Sequence, residues 1–324
     1  MDLQIFDLHA DLLCYLANDP SRTPHDTAVR CSLNQLRKGK VFFQLLPLFS
    51  DTVPGSAKQG LLQWEIFKAL PFKTSFEFVH DLTMGNLNSK AICIKLAIEN
   101  GSAIAEEEEP LKTIFERLSM MQERTPISYL SLTWNGENRF GGGAHTDIGL
   151  KLDGKELLKF LSHHDIVIDL SHASDRLAYD ILDYIDGQKL SSRVIASHSN
   201  LRSVTNVPRN LPDMLVLEII KRRGLIGLNQ VRSFVGFESP KYFAHHLRHL
   251  IELNGENSAC LGADFFCLED VPLAYRKPEE QTFFPEFNNA SSYPNLIALL
   301  KKELSLSDEF LAKLTHKNAA AFFE

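Results

Sequence analysis

The strongest constraint on the fold is a series of short apolar runs, rich in β-branched residues and each followed by a polar residue. They are Leu3–Leu8, Val41–Leu48, Ala91–Ile98, Tyr129–Leu132, Ile166–Leu170, Val194–Ala196, Leu225–Leu228 and Cys260–Gly262. A strand with one wet face alternates apolar and polar residues. A near-continuous apolar strand is buried on both faces, as in a parallel sheet covered by helices. Helical patterns fall between several of the runs, at Leu111–Met121, Gly154–Leu161, Asp175–Ile185, Asp213–Arg223 and Lys241–Leu253. Some eight strand–helix repeats predict an α/β fold, a single (β/α)8 barrel of the TIM type over residues 1–324. The early segments are less regular, and a doubly wound open sheet is the alternative. No internal repeat and no Gly/Ser- or Pro-rich linker divides the chain.

Composition narrows the partners. At 44% apolar and 23% charged, 324 residues can bury a large core, and a net charge of -7 speaks against nucleic acid. The first residues lack a basic n-region, so no signal peptide is expected. No stretch approaches the roughly 18 uninterrupted apolar residues of a membrane span. The five cysteines (Cys14, Cys31, Cys93, Cys260 and Cys267) are scattered, with no C-x-x-C pair. That usage predicts reduced, mostly buried thiols and a cytoplasmic location.

In such barrels the chemistry gathers at the C-terminal ends of the strands. Five of those ends carry one chemical type. The first run leads into Asp7-Leu8-His9-Ala10-Asp11 and the third into Glu99-Asn100-Gly101. The fifth ends in Asp169-Leu170-Ser171-His172, the sixth in Ser197-His198 and the eighth in Gly262-Ala263-Asp264. Three histidines and the carboxylates of Asp11, Glu99 and Asp264 therefore meet on one rim. Nitrogen and oxygen donors without thiolate suit zinc or a similar first-row dication. Positions i and i+2 of an extended segment face one side, so His9 and Asp11 can reach one ion. Six candidates exceed what one ion takes and suit two ions bridged by a shared carboxylate. Singly, each has a plainer reading: a hydrogen-bonded structural histidine, a helix cap at Asp11, a loop residue at Asp264. Agreement among five strand ends outweighs them. His163 and His164 precede a strand, and His245, His246 and His249 sit on a predicted helix without an H-E-x-x-H pattern. These five read as solvated or packed.

Taken together, these segments resemble the membrane (renal) dipeptidase family of metallopeptidases, within the amidohydrolase-like barrel hydrolases. The likeness runs over almost the whole chain. It includes Asp7-Leu8-His9-Ala10-Asp11, Leu36-Arg37-Lys38-Gly39-Lys40-Val41-Phe42-Phe43-Gln44 and Gly149-Leu150-Lys151-Leu152-Asp153-Gly154. It continues through Ile168-Asp169-Leu170-Ser171-His172-Ala173-Ser174, Ser197-His198-Ser199 with Arg209-Asn210-Leu211-Pro212-Asp213, Gly262-Ala263-Asp264-Phe265, Tyr293-Pro294-Asn295-Leu296 and Asn318. The Asp-Leu-Ser-His-Ala-Ser segment and the His198-to-Arg209 spacing are the most specific pieces. The resemblance implies two Zn2+ ions, with His9 and Asp11 on the first, His172 and His198 on the second, and Glu99 bridging. It implies Asp264 as the acid/base residue, Arg209 on the substrate's terminal carboxylate, a metal-bridging hydroxide as nucleophile, a small dipeptide substrate that can carry D-residues, and a homodimer.

Two departures bear on activity. The family's Leu-Thr-His segment, whose histidine contacts the scissile carbonyl, is Leu132-Thr133-Trp134-Asn135 here, which places Trp134 in the substrate-binding position. Tryptophan offers one N–H donor and no charge. His145, in Gly141-Gly142-Gly143-Ala144-His145, is a candidate replacement. The family's Asp-Phe-Asp-Gly becomes Asp264-Phe265-Phe266-Cys267, which loses the second aspartate. The loop Pro272–Tyr293, with Phe283, Phe284 and Phe287, either covers the mouth or packs against the rim. Competing readings are a related barrel hydrolase acting on another amide, ester or lactone, and a degenerate metal-binding scaffold. A serine hydrolase or a phosphate loop is disfavoured, since neither Gly-x-Ser-x-Gly nor a Walker motif occurs.

Overall fold

The computed structural model describes residues 3–81, 91–271, 273, 276–278 and 282–323. Eight parallel strands run β1 (Ile5–Asp7), β2 (Val41–Phe49), β3 (Ile92–Glu99), β4 (Ile127–Ser131), β5 (Val167–Asp169), β6 (Val194–Ile195), β7 (Ile226–Leu228) and β8 (Ala259–Leu261). Each pairs with the next in sequence except β6 with β7, and β1 pairs with β8 through Asp7 and Leu261. Between β6 and β7 the ring is closed by a bridge from Ala196 to Ile226. There Ala196 N donates to Leu225 O and Gly227 N to Ala196 O, both at 2.8 Å. Closure removes both sheet edges and excludes the doubly wound alternative.

The period of two along each strand sorts its residues. Phe6, Leu8, Leu45, Ala97, Tyr129, Val167, Ile195, Leu225 and Cys260 form one cluster drawn from all eight strand segments, which is the barrel interior. Their neighbours Ile5, Leu46, Leu96, Ile98, Leu130, Ile168, Val194 and Leu261 join the larger cluster beneath the helices. The alternation places Glu99 in phase with Ala97, Asp169 with Val167 and Ser197 with Ile195. All three reach the interior at the upper mouth.

The main helices are α1 (Leu12–Asn18), α2 (Leu33–Lys38), α3 (Ser56–Lys73), α4 (Leu111–Arg124), α5 (Leu152–His163), α6 (Asp175–Gln188), α7 (Asp213–Lys221), α8 (Tyr242–Glu252) and α9 (Tyr293–Leu304). In α6 the Ser174 hydroxyl caps the start by accepting from Leu177 N at 3.0 Å. Leu177, Ala178, Ile181, Leu182 and Ile185 form its buried stripe, and Lys189 ends it in the left-handed region. The last helical segment, Asn318–Phe323, lies under the lower mouth, where Ala319, Ala320, Phe322 and Phe323 join the interior cluster. Among the described residues no helix is long and apolar enough to cross a membrane.

Candidate metal centre

The upper mouth brings together His9, Asp11, Glu99, His172, His198 and Asp264. Asp7 sets two of them: its carboxylate accepts from His9 N (3.0 Å), from Ala263 N (3.1 Å) and from the Tyr293 hydroxyl. Asp264 N in turn donates to His9 O at 3.1 Å, which locks the β8 turn against the β1 turn. Gly262 permits a further approach, because a Cβ there would sit 1.9 Å from Ser197 O. His172 and Asp264 hold left-handed backbone, with φ of 65° and 63°. Such conformations in residues other than glycine cluster at functional sites.

The three imidazoles are oriented by hydrogen bonds that assign their protons. The Tyr129 hydroxyl donates to Leu8 O (3.0 Å) and so accepts from His9 Nδ1 (2.8 Å). The Ser197 hydroxyl donates to Asp169 Oδ2 (2.6 Å) and so accepts from His198 Nδ1 (2.7 Å). Asn135 Oδ1 accepts from His172 Nδ1 at 3.0 Å. Each ring therefore turns an Nε2 lone pair toward Glu99, the arrangement that protein ligands of metal ions adopt. His172 Nε2 lies 2.8 Å from Glu99 Oε1 and 2.9 Å from His198 Nε2. His198 Nε2 is 3.7 Å from the same oxygen, and His9 Nε2 is 3.3 Å from Oε2. Burial, reinforced by the Arg209 charge, lowers His172 to about 3, and burial holds His198 well below its usual range. Both rings are thus neutral donors. At His9 burial is outweighed by Tyr129, Glu99 and Asp11, which hold it well above the usual value. A proton and a metal cation compete for that lone pair.

A dication fits this donor set. Among the described residues His9 Nε2 and Asp11 Oδ1 are buried and lack a hydrogen-bond partner, a costly condition that coordination relieves. Asp11 stands at the N-cap of α1 but makes no side-chain capping bond, which removes its plainer reading. Two ligand triads, His9–Asp11–Glu99 and Glu99–His172–His198, share Glu99, and a third joins His9, His198 and Asp264. Asp264 is pushed up to about 7, by burial first and then by the charges of Asp11 and Glu99 against the pull of His9. Its Oδ2 accepts from Asn229 Nδ2 at 2.8 Å.

Above the cluster opens a cavity of about 450 Å³ lined by Asp11, Glu99, His172 and Asp264 at its floor, with Phe49, Trp134, Val231, Phe234 and Phe266 on its walls. Trp134 packs edge-on against Phe49, with ring centroids 5.2 Å apart, and His145 lines the rim beside it. Arg209 is buried behind this surface, donating to Ser199 Oγ (2.8 Å) and His198 O (2.9 Å), and is not among the lining residues. Phe283, Phe284 and Phe287 are buried, Phe283 against Phe265 and Phe266, while Arg276, Lys277 and Thr282 of the same loop line the cavity. Residues 272, 274, 275 and 279–281 of that loop lie outside the described residues. His246, read on sequence as solvated or packed, is fully buried. The sequence reading missed Tyr129, Asn135 and Asn229. Asn229 carries a usable signal, since it ends β7 as the other site residues end their strands.

The sequence profile of the family described as membrane dipeptidase, peptidase family M19, matches residues 1–323. The chain belongs to the membrane dipeptidase family. The barrel is the fold that solved members of this family share. A metallopeptidase from Rhodobacter sphaeroides, liganded with a phosphinate mimic of the dipeptide L-Ala-D-Ala, superposes with a TM-score of 0.81. It shares 19% identity, over 100% of this chain and 99% of its own. The probable dipeptidase PvdM from Pseudomonas aeruginosa gives 0.76 at 15% identity, covering 99% of this chain and 94% of its own. At these identities what is shared is the fold. An uncharacterized dipeptidase of Schizosaccharomyces pombe is 26% identical over 203 residues, 59% of this chain and 45% of its own length. An uncharacterized protein from Klebsiella pneumoniae is 29% identical over 147 residues, 41% of this chain and 52% of its own. The chain spans about half the length of these curated relatives.

Proposed function

We propose that this family member is a two-zinc dipeptidase that cleaves small dipeptides with a free C-terminal carboxylate. The observation that carries the reading is the convergence of three imidazole lone pairs on the two oxygens of Glu99. His9 and Asp11 would hold one ion, His172 and His198 the other, and Glu99 both. When bound, the ions supply a nucleophilic hydroxide at neutral pH and polarise the scissile carbonyl. Asp264, held near pKa 7 beside the cluster, is suited to pass a proton to the leaving amine. Arg209 would take the substrate carboxylate. Its Nε has no hydrogen-bond partner, and its charge lowers His145 on the rim, after burial. A D-residue at the C-terminal position is supported by the L-Ala-D-Ala mimic held by the Rhodobacter enzyme.

The free, buried cysteines support a reducing, cytoplasmic setting, and the homodimer rests on the family alone. Trp134 keeps a second reading open, a related hydrolase of another amide, ester or lactone. Metal analysis with a dipeptide panel, on the parent and on Glu99→Ala, tests the proposal. The parent is expected to carry two equivalents of metal and turn over dipeptides, and Glu99→Ala to fall to background. A parent without metal overturns the reading. Undiminished turnover of a C-terminally amidated dipeptide favours the second one.

A further inference from the structure

The cavity above the metal-ligand cluster is lined on the β8 side by Asp270 together with the cations Arg276 and Lys277. Asp270 lies six residues beyond Asp264 and adds its negative charge to that felt by Asp11. Trp134 and His145 come from the loop after β4, which faces β8 across an eight-stranded ring. The buried cation of Arg209 comes from the loop after β6, between the two sides, and its charge reaches His145 and His172 and also Asp264.

Asp270 is fastened through one carboxylate oxygen and left unpaired at the other. Its Oδ1 takes hydrogen bonds from Arg22 Nη1 (2.6 Å) and Asn18 Nδ2 (2.9 Å), which fasten it to the end of α1 and the turn beyond. Its Oδ2 is buried without a hydrogen-bond partner among the described residues, in a side chain only 11% exposed. Leaving a buried carboxylate oxygen unpaired is costly, and a cationic donor relieves that cost most strongly. Nearby Arg276 is occupied by the carbonyl oxygens of Glu269 and Val271. Among the described residues no ligand triad includes Asp270, so its role is separate from metal binding.

We propose that Asp270 receives the free α-ammonium group of the substrate's N-terminal residue. A zwitterionic dipeptide then lies in one direction only, ammonium toward Asp270 and carboxylate toward Arg209, with its peptide bond over the metal-ligand cluster. Asp270 is a specificity-determining residue in this scheme, and the inference rests on the dipeptidase reading.

The test compares a dipeptide that the parent cleaves with its des-amino analogue, in which hydrogen replaces the α-ammonium (propionyl-alanine for alanyl-alanine). The parent is expected to prefer the free amine. Asp270→Asn is expected to lower kcat/KM for the dipeptide roughly 10- to 100-fold, the range set by one lost charge-assisted hydrogen bond, and to leave the analogue unchanged. Glu269→Gln removes a charge from the same loop at a side chain that is 83% exposed, and is expected to keep the parent's preference. Equal losses on both substrates would mean a structural role, and an undiminished preference in Asp270→Asn would mean none; either overturns the inference while the dipeptidase reading stands. A parent that cleaves neither substrate removes that reading, and this inference with it.

Discussion

Each histidine of the centre is useful because a second residue has fixed its proton. Tyr129 is the clearest case, a phenol buried in the barrel interior that donates to Leu8 O and accepts from His9 Nδ1. Tyr129→Phe keeps the packing and deletes the acceptor, so Nδ1–H loses its partner and the ring its preferred tautomer. Outer partners of this kind are worth about 10- to 100-fold in metal affinity. Chelator competition should find that loss, and equal affinity would dismiss the role. Trp134 and His145 pose a complementary question. Burial and the Arg209 charge depress His145, so near neutrality it is an uncharged N–H donor on the cavity rim. If it supplies the carbonyl contact that Trp134 lacks, His145→Ala lowers kcat by about 10²-fold, the lower end of what losing one oxyanion donor costs. Full activity of that variant would leave the contact to Trp134 or to no side chain.

At the scale of elements, the loops that carry the site are tied to one another by buried side chains. His246 on α8 accepts from Leu201 N (3.2 Å) and donates to Val235 O (2.9 Å), joining the loop that bears Arg209 to the turn after β7. Burial lowers its pKa to about 4, below the unfolded value of 6.5. The unfolded chain therefore binds the extra proton between those values. Stability is complete above pH 6.5 and is lost as pH falls toward 4, by on the order of 3 kcal/mol from this group. Urea unfolding of the parent and of His246→Gln between pH 7.5 and 4.5 should show a shallower pH dependence in the variant. Parallel profiles would reject the assignment. The same helix marks where sequence reasoning thins out. Its spacing predicted Lys241–Leu253, close to the observed Tyr242–Glu252, yet left open whether the histidine face was wet. Apolar periodicity reports which face of an element is covered, so the strand runs and the five strand ends were readable. The tautomer-setting pairs were not, because Tyr129 meets His9 across 120 residues and no local pattern encodes that contact. Barrel closure was predicted from the count of eight strand–helix repeats, and the short join between β6 and β7, a bridge from Ala196 to Ile226, is the part no local pattern encodes.

For the molecule as a whole, the two mouths of the barrel divide the work. The upper mouth keeps buried polar atoms of the candidate ligands and left-handed backbone, features that cost stability. The lower mouth is filled by apolar packing. Phe6 lies between Phe43 and Phe323, with ring centroids 3.9 and 5.9 Å away, and the Asn318 side chain donates to Glu256 O (2.8 Å) and Ala259 O (2.9 Å). Arg193 adds a bond to Phe322 O and a cation–π contact with its ring at 5.0 Å. Conserving the fold and conserving the chemistry are thus tasks of opposite faces, the division general to this architecture. Phe323→Ala removes a partly buried ring from the lower face and should cost about 1–2 kcal/mol in urea unfolding, less than the 3–5 kcal/mol of a fully buried phenylalanine. Metal stoichiometry and kcat should stay at the parent's values in the folded variant, because no site residue touches that ring. Loss of metal in step with stability would show instead that the floor of the barrel holds the centre in place.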